Sequence, residues 1–112
     1  MTIEFKEKNG VTIGLMNGRL DSATSPGAEN ELTEKLSLVP ELLLNLESVE
    51  YVSSAGLRVF LLLAKKSRLS GASLALCSLQ PGVAAVFDIS GFTTLFTLYD
   101  NESAAVSGMT QK

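Results

Sequence analysis

The sequence predicts an α/β fold with a mixed sheet of four to five strands, an N-terminal hairpin and helices mainly on one face. Two observations support this prediction. The chain has 112 residues, enough for a single domain, and 46% of them are hydrophobic, which is a globular composition. After two strand-like segments, helical and strand-like patterns alternate along the chain. Such alternation is typical of parallel strands joined by helical crossovers.

The spacing of apolar residues predicts the elements in chain order. A period of two indicates a strand, spacings of three and four indicate a helix, and Asn9-Gly10 indicates a tight hairpin turn. The predicted elements are strands 2–8 and 11–16, helix 26–38, strand 42–46, helix 54–69, strand 73–78, helix 81–89, edge strand 93–98 and helix 100–107. Residues 1–107 are therefore expected to form the domain, and residues 108–112 a flexible C-terminal tail.

Polar residues set several of these boundaries. Asn17-Gly18 is expected to end the second strand, and a polar loop follows it. Ser25 is predicted to be the N-cap of the first helix because Pro26 suits the first helical position. Asn45 is a polar residue in an apolar strand. It is expected near the strand end with its amide satisfied, and no function is assigned to it.

The composition excludes several kinds of chemistry. The chain has no histidine, so imidazole cannot serve as a base or a metal ligand. Its one cysteine, Cys77, allows no intrachain disulfide and no cysteine-rich metal site, and is expected to be a buried structural thiol. No phosphate loop or dinucleotide fingerprint is present, so neither a cofactor nor a metal is expected.

Charge and hydropathy narrow the partners and the location. The formal net charge is −3, which argues against direct binding of nucleic acid. No apolar run approaches the roughly 18 residues of a membrane span, so membrane insertion is not expected. The free thiol and a mixed-charge start without a signal peptide predict a cytoplasmic protein.

Ser53 and Ser54 occupy the most informative position, between a buried strand and a buried helix. The loop after a parallel strand is where function usually gathers, and a phosphate there would meet the free N–H groups of the helix. The residue pattern alone favours a structural role, in which the serines cap the helix and Gly56 permits close packing. A nucleophilic serine is disfavoured because no histidine and no Gly-x-Ser-x-Gly elbow accompany it.

The segment Val-Ser-Ser-Ala-Gly-Leu-Arg (52–58), preceded by the strand Leu-Leu-Leu-Asn-Leu, resembles the signature of the STAS family. This family contains bacterial anti-sigma factor antagonists and their relatives. Three weaker segments, at 17–21, 71–77 and 80–92, match the family in the same order. The resemblance implies a single STAS-like domain that acts as a non-enzymatic binding module.

Family members of the antagonist type are phosphorylated on a serine that corresponds to Ser54. Ser53, which stands where some members have Asp, is the second choice. The resemblance implies that the unphosphorylated chain, a monomer when free, binds an anti-sigma factor serine kinase and so releases a sigma factor. The kinase supplies ATP and Mg²⁺, and a serine phosphatase reverses the modification. The implied partner-binding residues are Asp21, Ser22, Ser53, Ala55, Gly56 and Arg58.

Two alternatives stay open at this point. The chain could be a STAS docking subunit of a transporter or a signalling scaffold, without phosphorylation. It could also be a small α/β enzyme that uses a carboxylate or Ser54, which the missing histidine and cofactor motifs disfavour. For Asp21, the residues alone favour a loop aspartate that bonds its own backbone.

Overall fold

The computed structural model describes residues 1–110. Within them, the chain forms a five-stranded mixed sheet and four α-helices. The elements are β1 (Thr2–Lys8), β2 (Val11–Leu20), α1 (Ser25–Leu38), β3 (Glu41–Val52), α2 (Ser54–Ser70), β4 (Ser73–Cys77), α3 (Pro81–Ile89), β5 (Thr97–Tyr99) and α4 (Glu102–Thr110). The strands lie in sequence order, with β1 antiparallel to β2 and all other neighbours parallel. The predicted fold class is confirmed.

The hairpin between β1 and β2 closes through the predicted two-residue turn. Asn9 has φ 53° and Gly10 has φ 84°. Two successive positive φ values match the right-handed twist of the flanking strands, and asparagine and glycine adopt them at least cost.

Two hydrophobic cores lie on opposite faces of the sheet. The larger core packs α1, α2 and α3 against one face, with Phe60 and Phe87 in edge contact at a ring-centroid distance of 5.3 Å. The smaller core packs Val106 and Met109 of α4 against Ile13 and Leu43 on the other face. Three helices therefore share one face and α4 lies alone, so the predicted placement of the helices mainly on one face is confirmed.

Strands β2 and β3 run further than their sequence pattern predicts. β2 continues past Asn17-Gly18 to Leu20, and β3 continues past Leu46 to Val52. The pairing of these parallel strands is interrupted at two points, between Leu15 and Asn17 and between Gly18 and Arg19. Each interruption places one extra β3 residue against β2, so the strands stay paired while their period of two is broken.

The start of α1 and the region of β5 also differ from expectation. The N-cap of α1 is Thr24 rather than Ser25, whose side chain is buried in the first turn. The predicted edge strand 93–98 contains a 3₁₀ turn, Phe92–Thr94, followed by the short β5. The predicted first residues of the last helix, Asp100 and Asn101, precede α4.

The expected flexible tail from residue 108 is wrong for residues 108–110. These residues belong to α4, and the side chain of Met109 is only 8% exposed. The helix persists because Met109 packs into the smaller core, a tertiary contact that the short polar sequence does not reveal. The last two residues of the predicted tail lie outside the described range. Within residues 1–110, no helix is long and apolar enough to cross a membrane.

Candidate functional site

The start of α2 is fixed against the ends of β2 and β3. The backbone N–H of Ser53 donates to the carbonyl oxygen of Leu20 at 2.9 Å, which ties the loop to the end of β2. The Oγ of Ser53 accepts a hydrogen bond from the N–H of Gly56 at 3.3 Å. Ser53 is therefore the N-cap of α2, with its hydroxyl used by the helix.

Ser54 has the opposite character. It is the first residue of α2, it is exposed, and its hydroxyl forms no hydrogen bond with any group of residues 1–110. The N–H groups of the first helical turn give this end of α2 a partial positive charge. An anionic group carried by Ser54 would lie within that field, which favours negative charge.

Gly56 allows α2 to lie this close to β2. A Cβ atom at this position would lie 2.7 Å from the carbonyl oxygen of Leu20 and 3.0 Å from a side-chain carbon of Val52. The backbone oxygen cannot swing aside as a flexible side chain can. Gly56 is buried, so its contribution to the site is the close approach of α2 rather than a surface for a partner.

Asp21 lies in the loop between β2 and α1, and its carboxylate is turned to its own backbone. Asp21 Oδ1 accepts the N–H groups of Ala23 at 3.0 Å and Thr24 at 3.1 Å. The backbone hydrogen bond from Thr24 is the largest of the effects that hold the pKa of Asp21 below its ordinary value. Asp21 therefore shapes the loop, as the residue pattern alone favours.

The candidate partner-binding residues divide by exposure. Ser22 and Arg58 are exposed, whereas Asp21, Ser53 and Ala55 are half-buried. Ser22 lies in the loop after β2, and Arg58 lies one helical turn beyond Ser54. Glu47 and Glu50 of β3 are also exposed and add negative charge to this region of the strand.

Sequence reasoning missed a surface pair on the distal parts of β2 and β3. Arg19 and Tyr51 lie opposite each other, and the guanidinium carbon of Arg19 is 4.4 Å from the ring centroid of Tyr51. The ring remains 42% exposed. No local pattern could have paired these residues, because both follow the points at which the strands were expected to end. Tyrosine and arginine are enriched among the residues that contribute most to binding at protein interfaces.

The sequence model of the STAS domain family matches residues 2–105 of this chain. The chain belongs to the STAS domain family. This match confirms the resemblance that the segment 52–58 indicated.

Named relatives of this STAS chain are anti-sigma factor antagonists. The chain is 36% identical to BtrV of Bordetella bronchiseptica, named an anti-sigma factor antagonist, over 96% of this chain and 93% of that protein. It is 29% identical to the anti-sigma F factor antagonist of Paenibacillus polymyxa over 96% and 93% of the two chains. A crystal structure from Thermotoga maritima, titled an anti-sigma factor antagonist, superposes with a TM-score of 0.88 at 22% identity, covering 95% and 92%. The similarity to the Thermotoga maritima structure, at 22% identity, supports the fold of this chain alone.

Proposed function

We propose that this STAS protein is an anti-sigma factor antagonist whose binding is switched by phosphorylation of Ser54. The observation that carries the proposal is the exposed hydroxyl of Ser54 at the start of α2, which no group of residues 1–110 bonds. The neighbouring serine is committed to its cap, so the two hydroxyls are not equivalent. The 36% identity to a protein named an anti-sigma factor antagonist supports the role of the chain as a whole.

In this proposal the unphosphorylated protein, a cytoplasmic monomer when free, docks on a kinase-type anti-sigma factor and displaces the sigma factor. The chain is a binding module and a substrate, not an enzyme, and makes no direct contact with nucleic acid. The kinase supplies ATP and Mg²⁺. The Ser54 oxygen attacks the γ-phosphorus, its proton passes to a base of the kinase, and ADP leaves with the electrons of the broken P–O bond. A serine phosphatase later hydrolyses the phosphoserine.

Release follows from local repulsion. The phosphate adds about −1.5 to −2 charges at neutral pH. The kinase holds ADP close to the phosphoserine immediately after transfer. Two unit charges about 4 Å apart interact by about 4 kcal/mol at an effective dielectric of 20. Part of that repulsion, together with steric exclusion, is enough to weaken the binding free energy by roughly 3 kcal/mol, which is on the order of a hundredfold in affinity.

Phosphate incorporation tests the proposal. The cognate kinase with Mg-ATP should add one phosphate to the wild-type protein, which intact mass and peptide mapping will place on Ser54. Ser54→Ala should abolish incorporation, whereas the matched variant Ser53→Ala should retain it. A phosphate mapped to Ser53 would move the acceptor by one residue, and undiminished incorporation in both variants would refute the proposed switch.

A further inference from the structure

Asn45 lies at the point where the β2–β3 pairing is first interrupted. Leu15 of β2 pairs with Asn45 and Asn17 pairs with Ser48, so the β3 residues Leu46 and Glu47 lie opposite a single β2 residue. This is a β-bulge, and it determines which β3 residues face the larger core beyond it. Val49 is fully buried in that core only because of the extra residue.

Two side chains hold the backbone of Glu47 within the bulge. The N–H of Glu47 donates to Oδ1 of Asn45 at 2.9 Å, and its carbonyl oxygen accepts from Nε2 of Gln80 at 2.7 Å. Asn45 is only 6% exposed, whereas the bond from Gln80 lies at the surface. The hydrogen bond to Asn45 is part-buried, so water replaces it less readily than the exposed bond from Gln80, and Asn45 is the more important of the two.

Asn45 is itself held from α4. Its Nδ2 donates to Oε1 of Glu102 at 3.2 Å, and Oε2 of Glu102 forms an ion pair of 2.9 Å with Nζ of Lys6. The amide is thus oriented by its two partners, since only its oxygen can accept from Glu47 while its nitrogen donates to Glu102. These contacts connect Lys6 of β1 and Glu102 of α4, through Asn45, to the bulge.

We propose that Asn45 is a positioning residue for the Ser54 hydroxyl, because it fixes the bulge after which β3 leads into the acceptor. The segment beyond the bulge pairs with the end of β2, and the Ser53 N–H closes that pairing on the Leu20 carbonyl. The inference rests on the proposed function of Ser54. It adds a dependence of the acceptor on α4, which lies on the opposite face of the sheet from α2.

Hydrogen exchange tests this placement without a kinase. The readout is the exchange rate of the Ser53 amide divided by that of the Leu43 amide, which lies before the bulge in the same strand. Global unfolding accelerates both amides alike, whereas local opening beyond the bulge accelerates only the first. Asn45→Ala should raise the ratio by about tenfold or more, since it removes the side-chain acceptor of the Glu47 N–H within the bulge. Leu36→Ala removes a buried α1 side chain from the larger core and touches neither α4 nor the hydrogen bonds of the bulge. It is the matched control and should leave the ratio near that of the wild type.

A polarity swap provides the rescue. Asn45→Asp keeps the acceptor for Glu47 but places a second carboxylate beside Glu102, so its ratio should lie between those of the wild type and Asn45→Ala. Adding Glu102→Gln restores the hydrogen bond with its two groups exchanged, because the amide at position 102 now donates to the carboxylate at position 45. The ratio should then return close to the wild-type value. The nearly isosteric aspartate keeps the test decisive if Asn45→Ala fails to fold. An Asn45→Ala ratio equal to that of Leu36→Ala, or no recovery in the double variant, would overturn the positioning role.

The kinetic consequence links the placement to the chemistry. With the kinase that phosphorylates the wild-type protein, Asn45→Asp should lower kcat about threefold or more while KM changes little, because docking survives and the hydroxyl is less often in position. Adding Glu102→Gln should restore kcat. An unchanged kcat in Asn45→Asp would refute the positioning role. If the wild-type protein takes no phosphate on Ser54, the proposed function fails, and the exchange ratio still decides whether Asn45 holds the bulge.

Discussion

Gly56 is the residue at which α2 and β2 come closest, and its substitution makes a sharp prediction. Gly56→Ala should lower the free energy of unfolding by about 1–3 kcal/mol, because the new methyl group meets the Leu20 carbonyl oxygen at 2.7 Å. Urea unfolding at neutral pH measures this. Gly27→Ala in α1 is the control, since nothing lies within 4 Å of its Cβ, and it should gain about 0.4–1 kcal/mol. Equal effects of the two substitutions would contradict the close approach.

Charge at residue 54 gives the second prediction at this scale. Ser54→Asp should bind the kinase in the presence of ADP much more weakly than the wild type, because it places a negative charge where the phosphate would lie. Ser54→Ala should bind at least as well as the wild type and resist release by ATP. Calorimetric titration of each variant is the measurement.

The control for that titration is Ser107→Asp. It adds the same charge at an exposed position of α4, on the face of the sheet opposite α2, and should leave affinity unchanged. Equal affinities for Asp and Ala at position 54, repeated with the genuinely phosphorylated protein, would exclude repulsion as the cause of release.

At the scale of elements, β3 shows what a local pattern can and cannot predict. Its first half is predicted because four of the five residues 42–46 are leucines, on both faces of the strand, as a central strand requires. Its second half buries Leu46, Val49 and Val52 at intervals of three, which is not a strand period. Two bulges against β2 produce those intervals, and both depend on a partner strand that lies far away in the chain. The site at the end of β3 is therefore predicted from the motif at residues 52–58, and not from the strand pattern that precedes it.

The two helix starts differ for a related reason. At α2, Ser53 caps the helix as a local pattern predicts. At α1, the serine before the proline is buried and the helix begins one residue earlier, at a loop held by Asp21 and Thr24. The Thr24 hydroxyl donates to the Arg19 carbonyl oxygen at 2.7 Å and accepts the Asp21 N–H at 3.0 Å. These bonds hold it in the loop, and it forms no cap bond with the helix. The competing bond reaches back into β2, whose extension the sequence pattern did not predict.

Substitutions of the two serines at the start of α2 should differ in their effect on the free energy of unfolding. Ser53→Ala should cost about 0.5–1 kcal/mol, at the low end for a lost cap because its bond to the Gly56 N–H is long. Ser54→Ala should change the free energy of unfolding by less than about 0.5 kcal/mol, as expected for an exposed side chain without partners. Denaturant titration of the two variants provides the measurement. A larger cost at Ser54 would mean that this hydroxyl has a structural bond and is less available as an acceptor.

For the molecule as a whole, the order of elements and the distribution of helices were predictable because each depends on local periodicity. The smaller core was not, since α4 is short and only its docking on Ile13 and Leu43 shows which of its residues are buried. The same docking brings Glu102 to Asn45, a contact between residues 57 positions apart. The sequence therefore indicates Ser54 as the proposed phosphorylation site, but it does not indicate the distant residues that contact the strand leading to Ser54.

The pH dependence of global stability follows from Glu102 and gives the last prediction. Burial by itself raises the pKa of Glu102, but hydrogen bonds from Lys6 and Asn45 outweigh it and hold the pKa below the ordinary 4.5. The unfolded chain therefore binds the proton more readily than the folded one. The stabilising contribution is present in full well above pH 4.5 and is lost as the pH falls through the lowered pKa. Glu102→Gln keeps an acceptor for Asn45 but cannot titrate, so it should lose less stability than the wild type between about pH 7 and pH 3.

Urea unfolding of both proteins across that range measures the difference. Glu4→Gln is the control, because Glu4 is an exposed carboxylate on β1 at the surface, and this variant should follow the wild-type pH dependence. Added salt should narrow the difference between the wild type and Glu102→Gln, because the Lys6 side chain of the ion pair is 46% exposed and the pair is partly screened. Parallel pH curves for the wild type and Glu102→Gln would show that Glu102 has the same proton affinity in the folded and unfolded chains. In that case the contacts from Lys6 and Asn45 would not favour its charged form.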